Sequence, residues 1–100
     1  MVRIPPNNSL GKAIRLIRRA KNMSQTDLRS KTGLETGYIS RIENGWVIPR
    51  EGILEKLADA FGVCVAQIKI VEAIELEPRK YKGEDARKFL GKEFYGALYD

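Results

Sequence analysis

SQTDLRSKTGLETGYISRIENG, residues 24–45, holds two short helical patterns that meet at one glycine. Ser24 can cap the first helix, and Asp27 three residues on can complete a capping box. Leu28 is that helix's apolar contact. Gly33 falls where the helix must end, because glycine takes a left-handed backbone without a steric penalty. After Leu34 a second helix carries Ile39 and Ile42 inward and leaves Thr36, Gly37, Ser40 and Arg41 largely outward. Asn44-Gly45 is a second stop signal. Two short helices around a tight glycine-bearing turn make a helix-turn-helix, whose second helix fits a DNA major groove.

The flanks read as helices of the same bundle. Residues 10–21 form the first, with Leu10, Ile14, Ile17 and, beyond its end, Met23 on the buried side. Lys12, Arg15, Arg19 and Lys21 fall toward solvent or a phosphate. Asn8 or Ser9 is its cap and Asn22 its left-handed stop. The second helix spans 25–32 and the third 36–43. The loop Trp-Val-Ile-Pro at 46–49 is apolar enough to be expected to pack against something. A fourth helix over 51–61 puts Ile53, Leu54, Leu57, Ala58 and Phe61 on one face, and Gly62 stops it. A fifth starts near Val65 with Ile68, Val71 and Ile74 inward. The spacing of Ile68, Ile70, Ile74 and Leu76 also fits a strand, and helix to about residue 75 is the preferred reading.

The fold class expected is all-α: a compact five-helix bundle over residues 10–77, with a flexible arm at 1–9 and a short C-terminal extension at 78–100. Pro5-Pro6 keeps the arm from forming a helix, and Arg3 is its only charge. Residues 78–83 read as a linker or turn. Residues 84–90 read as helix, with Glu84 and Asp85 at the favourable end of its dipole. Gly91 and Gly96 weaken any helix beyond that. Five of the eight aromatic residues, Tyr81, Phe89, Phe94, Tyr95 and Tyr99, lie in the last twenty positions. Either this tail folds back on its own core, or it presents a dimer or partner surface.

One hundred residues make one small domain. With one cysteine, Cys64, and no histidine, a disulfide framework, a multi-cysteine metal site and imidazole catalysis are excluded. No cofactor is expected. Without a nucleophile–base pair or a phosphate-cradling glycine loop, an enzyme is not expected either. No long apolar run suggests a membrane span, so a cytoplasmic, nucleoid-associated location is expected. The net charge of +5 is uneven. Residues 1–50 carry ten Lys/Arg against three Asp/Glu, whereas residues 51–100 carry eight against ten. A basic half that also holds the helix-turn-helix suits a polyanion, although a solvated surface gives the same count.

An ordered series of residues resembles the Cro and phage-repressor type of helix-turn-helix proteins across residues 10–70. It runs Leu10-Gly11, Ile14, Arg18, Met23-Ser24-Gln25, Leu28, Gly33, then Tyr38 through Gly45, Pro49, Leu54, Leu57, Ala58, Phe61-Gly62-Val63 and Ile68. The resemblance implies a five-helix bundle. It implies that Gln25 holds a phosphate at the start of the second helix, where the helix dipole favours an anion. It puts Thr36 and Gly37 at base edges and Arg41 one turn on, where an arginine can read guanine, with Tyr38 and Ser40 flanking. It makes Arg18 and Glu43 a structural ion pair between the first and third helices. Three positions depart from the family's pattern. Arg29 stands in place of a small residue, Glu35 in place of a Ser or Thr cap, and Gly37 offers no side chain at a reading position. Cys64 takes the capping position before helix five and is expected to be structural.

The leading expectation is a sequence-specific DNA-binding regulator, a repressor acting as a homodimer on double-stranded DNA. Lys12, Arg15, Arg19 and Arg50 are then phosphate neighbours that set position. The alternative is a protein-binding module, an antitoxin or a transcription-bridging factor, with a protein partner on the C-terminal extension.

Overall fold

The computed structural model describes residues 8–100, so most of the expected N-terminal arm, Arg3 included, lies outside the described residues. The described chain is α-helical without strands. Its helices are α1 (Ser9–Ala20), α2 (Gln25–Thr32), α3 (Thr36–Glu43), α4 (Glu51–Phe61), α5 (Val65–Leu76), α6 (Pro78–Tyr81), α7 (Glu84–Leu90) and α8 (Lys92–Tyr99). The first five match the expected helices to within a residue or so.

Local chemistry sets these boundaries. The Ser24 hydroxyl accepts from the Asp27 N–H at 3.0 Å, and the Asp27 carboxylate accepts from the Ser24 N–H at 2.9 Å. That reciprocal pair satisfies two of the amides a helix start leaves open. The hydrogen bonds from the Ser24 backbone and side chain also hold the Asp27 carboxyl below its usual range. Gly33 ends α2 at φ 77°, and its N–H returns to the Arg29 carbonyl at 2.7 Å. Asn22 takes the left-handed conformation without being glycine, as expected for the stop after α1.

α1 and α5 lie against each other through the middle of the molecule. Ala13, Ile14 and Ile17 of α1 and Ile68, Val71 and Ile74 of α5 are fully buried. The three-residue steps along α5 follow a helical stripe, which decides against a strand there. Leu28, Ile39, Ile42, Leu54, Leu57, Ala58 and Phe61 complete the core from α2, α3 and α4. Burial of each Leu or Ile side chain favours folding by about 1.5–3 kcal/mol.

The structure corrects several details. Asn8 takes the N-cap position of α1, yet its side chain makes no capping bond. Its amide donates instead to the Glu43 carbonyl at 3.4 Å, tying the start of α1 to the end of α3. In the 46–49 loop only Pro49 is buried and Val47 partly so, while Trp46 and Ile48 stand in solvent. Residues 78–81 form one helical turn, started by a proline whose missing N–H costs nothing there. Gly91, at φ 94°, separates α7 from α8, but Gly96 lies inside α8. Tertiary packing overrides its weak propensity. Ala86, Leu90, Tyr95 and Leu98 join the core, α7 packing on α5 and α8 on α1. Tyr99 donates to the Glu75 carboxylate at 3.3 Å. Burial, with that carboxylate beside it, pushes the Tyr99 phenol up. Tyr81 and Phe89 remain exposed.

Candidate nucleic-acid interface

Glu43, the last residue of α3, is fully buried, and a lone carboxylate there would be costly. Arg18 compensates from α1, donating at 2.7 Å to one carboxylate oxygen and at 3.1 Å to the other. A further Arg18 nitrogen donates to the Met23 carbonyl at 2.8 Å, which ties in the turn before α2. Gln25, at the start of α2, donates its amide to Glu43 at 3.2 Å, and Arg15 approaches the same oxygen at 3.4 Å. Burial alone would raise the Glu43 pKa. The hydrogen bonds from Arg18 and Gln25, the Arg18 charge and the Arg15 contact outweigh it and hold the carboxyl below its usual range. Glu43 is therefore an anion that gathers α1, α2 and α3.

Backbone contact fixes the same corner. A Cβ on Gly11 would meet the carbonyl oxygens of Ile42 and Glu43 at 2.5 and 2.6 Å, so α1 rests directly on the last turn of α3. Arg15 also donates to the Asn44 side-chain oxygen at 2.9 Å. Asn44 in turn donates to the Ser40 carbonyl at 2.9 Å and its hydroxyl at 3.3 Å. Asn44 was legible in sequence only as a helix stop. Its spacing of four from Ser40 at a helix end is the signal for this second role.

The opposite face of α3 is open. Gly37 and Arg41 are exposed, and Thr36, Tyr38 and Ser40 are half-buried. The Arg41 guanidinium lies 5.9 Å from the centre of the Tyr38 ring, a cation–π contact that biases an exposed side chain. Glu35 makes no side-chain cap. It pairs instead with Arg29 across the turn at 3.9 Å. Two of the three departures thus meet each other, in a solvated pair that adds little stability. The Arg29 side chain stays outside the core.

The remaining expected phosphate neighbours fall in two places. Lys12 and Arg19 line a shallow depression on α1 with Arg15, Leu16 and Glu75 of α5, so a carboxylate shares that surface. Arg50 is exposed at the start of α4. Cys64 is exposed before α5, where its N–H donates to the Gln67 side chain at 3.0 Å. No helix among the described residues is long and apolar enough to cross a membrane.

A helix-turn-helix family model matches residues 14–64, from within α1 to the residue before α5. No curated protein and no solved structure matches the chain.

Proposed function

The chain belongs to the helix-turn-helix family of DNA-binding regulators, and from that premise we propose that it is a sequence-specific transcriptional repressor working as a homodimer. Each protomer inserts α3 into the major groove, and the two helices reach successive grooves about 34 Å apart. The observation that carries this reading is the way Glu43 and Gly11 lock α3 to α1 and α2 while the Thr36–Gly37–Arg41 side stays open. A helix held at one end and free on one face is positioned for base contact.

In this reading Arg41 reads guanine, Thr36 and Gly37 approach base edges, and Tyr38 and Ser40 flank them. Gln25 offers its amide at the helix start, already oriented by Glu43. Lys12, Arg19 and Arg50 neighbour phosphates. Arg15 lies in the same basic set, but its contacts to Glu43 and Asn44 make it a support for α3 first. Repression follows from steric cover of a promoter, in the cytoplasm at the nucleoid. Selection of bound duplexes from a random-sequence pool tests the proposal. Two inverted half-sites spaced by one helical turn are expected, and a bound pool with no enriched sequence would overturn it.

A further inference from the structure

Resting on the reading of α3 as the helix that enters the groove, we propose that Gly37 determines specificity through its missing side chain. It is a positioning residue that lets Arg41 lie back along α3 and present its guanidinium at the start of the helix. Arg41 stands four residues after Gly37, on the same helical face. Side chains on a helix lean toward its N-terminus. Arg41 does so, and its Nη1 lies 3.8 Å from where a Gly37 Cβ would stand. The guanidinium is also 5.9 Å from the centre of the Tyr38 ring. Its tip therefore rests by the bare backbone of Gly37, with the Tyr38 ring as a second neighbour.

The donors of that guanidinium are free. Arg15, Arg18, Arg29 and Arg87 each reach a carboxylate, whereas Arg41 makes no ion pair and no side-chain hydrogen bond among the described residues. Glu35, the acid at the start of α3, is engaged by Arg29 across the turn at 3.9 Å. The three departures from the family's pattern thus act together. Arg29 engages Glu35, Gly37 leaves the space, and Arg41 keeps its donors for a ligand.

A guanine edge is the ligand that fits. Its O6 and N7 are two acceptors that match two parallel N–H groups of a guanidinium. The first residues of a recognition helix lie closest to base edges. The approach to Gly37 brings an arginine rooted one turn later to that end. An exposed arginine loses rotamer freedom when it binds, and one already laid along the helix loses less. A larger side chain at position 37 would take this space. A single Cβ at 3.8 Å is ordinary contact and leaves Arg41 in place. A β-branched residue adds two γ carbons, whose staggered positions surround that Cβ and crowd the guanidinium.

Competition binding of the full chain across single-base variants of its selected site tests this, with Gly37→Ala, Gly37→Val, Arg41→Ala and the Gly37→Val/Arg41→Ala double variant. Gly37→Ala should keep the wild-type preference for guanine. Gly37→Val should lose at least about fivefold of it, as Arg41→Ala does, and keep the preferences at other positions. The double variant should be no worse than Arg41→Ala alone, because both changes remove one contact. Gly37→Leu, a stronger helix former, is run beside Gly37→Val and should behave alike even if valine loosens the helix start. Retained guanine preference in the folded variants, a loss already complete in Gly37→Ala, an equal loss of affinity for every sequence, or an additive double variant would each overturn the proposal. The two readings fail differently. A wild type with a preference that Gly37→Val and Gly37→Leu share removes only this role of Gly37. A wild type with no preference at any position removes the DNA reading and this inference with it.

Discussion

Arg18 and Glu43, 25 residues apart in sequence, are joined by hydrogen bonds of 2.7 and 3.1 Å inside the protein. The pair belongs to the mechanism because Glu43 ends the helix proposed to read DNA, while Arg18 anchors it to α1. Breaking such a pair from one side leaves the other charge buried. Glu43→Ala is expected to cost about 3–5 kcal/mol in urea unfolding. A loss no larger than that of an exposed glutamate, such as Glu55→Ala, would show that Arg18 finds water instead.

The same pair sets a pH dependence. The folded Glu43 carboxyl lies below its ordinary value of 4.5, so the folded state favours its charged form. Its contribution is complete above 4.5 and is lost as pH falls through the lower folded value. Thermal midpoints of the wild type should therefore fall more steeply in this acid range than those of Glu43→Gln. Parallel curves would show that other carboxylates govern the acid limb.

Two helical glycines should respond in opposite directions. Gly11→Ala drives a Cβ onto the carbonyls of Ile42 and Glu43 and is expected to destabilise by about 1–3 kcal/mol. On α3, a Cβ at Gly37 meets only the end of Arg41, at 3.8 Å. Gly37→Ala should stabilise by about 0.5–1 kcal/mol through helix propensity. Denaturant midpoints of the two variants check both signs.

The C-terminal helices should behave as part of the fold. Leu90 is 4% exposed and joins the common core, so Leu90→Ala should cost about 2–5 kcal/mol in a single cooperative transition. A separate early transition would show that α7 and α8 unfold independently.

What was legible in the sequence was local. Gly33 and Gly62 marked helix ends because glycine takes the left-handed backbone found there without a steric penalty, and the stripe of Ile68, Val71 and Ile74 favoured a helix over the strand that the spacing of Ile68, Ile70, Ile74 and Leu76 also fits. Gly96 misled, because the weak propensity of one glycine is outweighed when Tyr95 and Leu98 bury beside it. Trp46 and Ile48 misled for a different reason: a short apolar loop carries no period to say which side faces the core. In the candidate site, the resemblance supplied the Arg18–Glu43 pair. That Arg15 and Gln25 turn toward the same carboxylate was not readable, since a helical face does not specify the neighbour it reaches.

Arg41 is where base reading should be lost. Arg41→Ala is expected to cost about 1–3 kcal/mol and to relax preference at one position per half-site. Lys12→Ala should instead weaken all sequences alike and reduce the salt slope. Competition binding across single-base variants distinguishes the two. An Arg41→Ala protein with an unchanged preference would remove Arg41 from the reading set.

The most direct measurement is a titration of the full chain against DNA from upstream of its own gene and against unrelated DNA, repeated at several salt concentrations. The proposed repressor predicts a preference for the upstream DNA that persists into moderate salt, because base contacts remain when counterion release no longer drives binding. Equal binding to both, collapsing together as salt rises, would contradict sequence-specific recognition by α3.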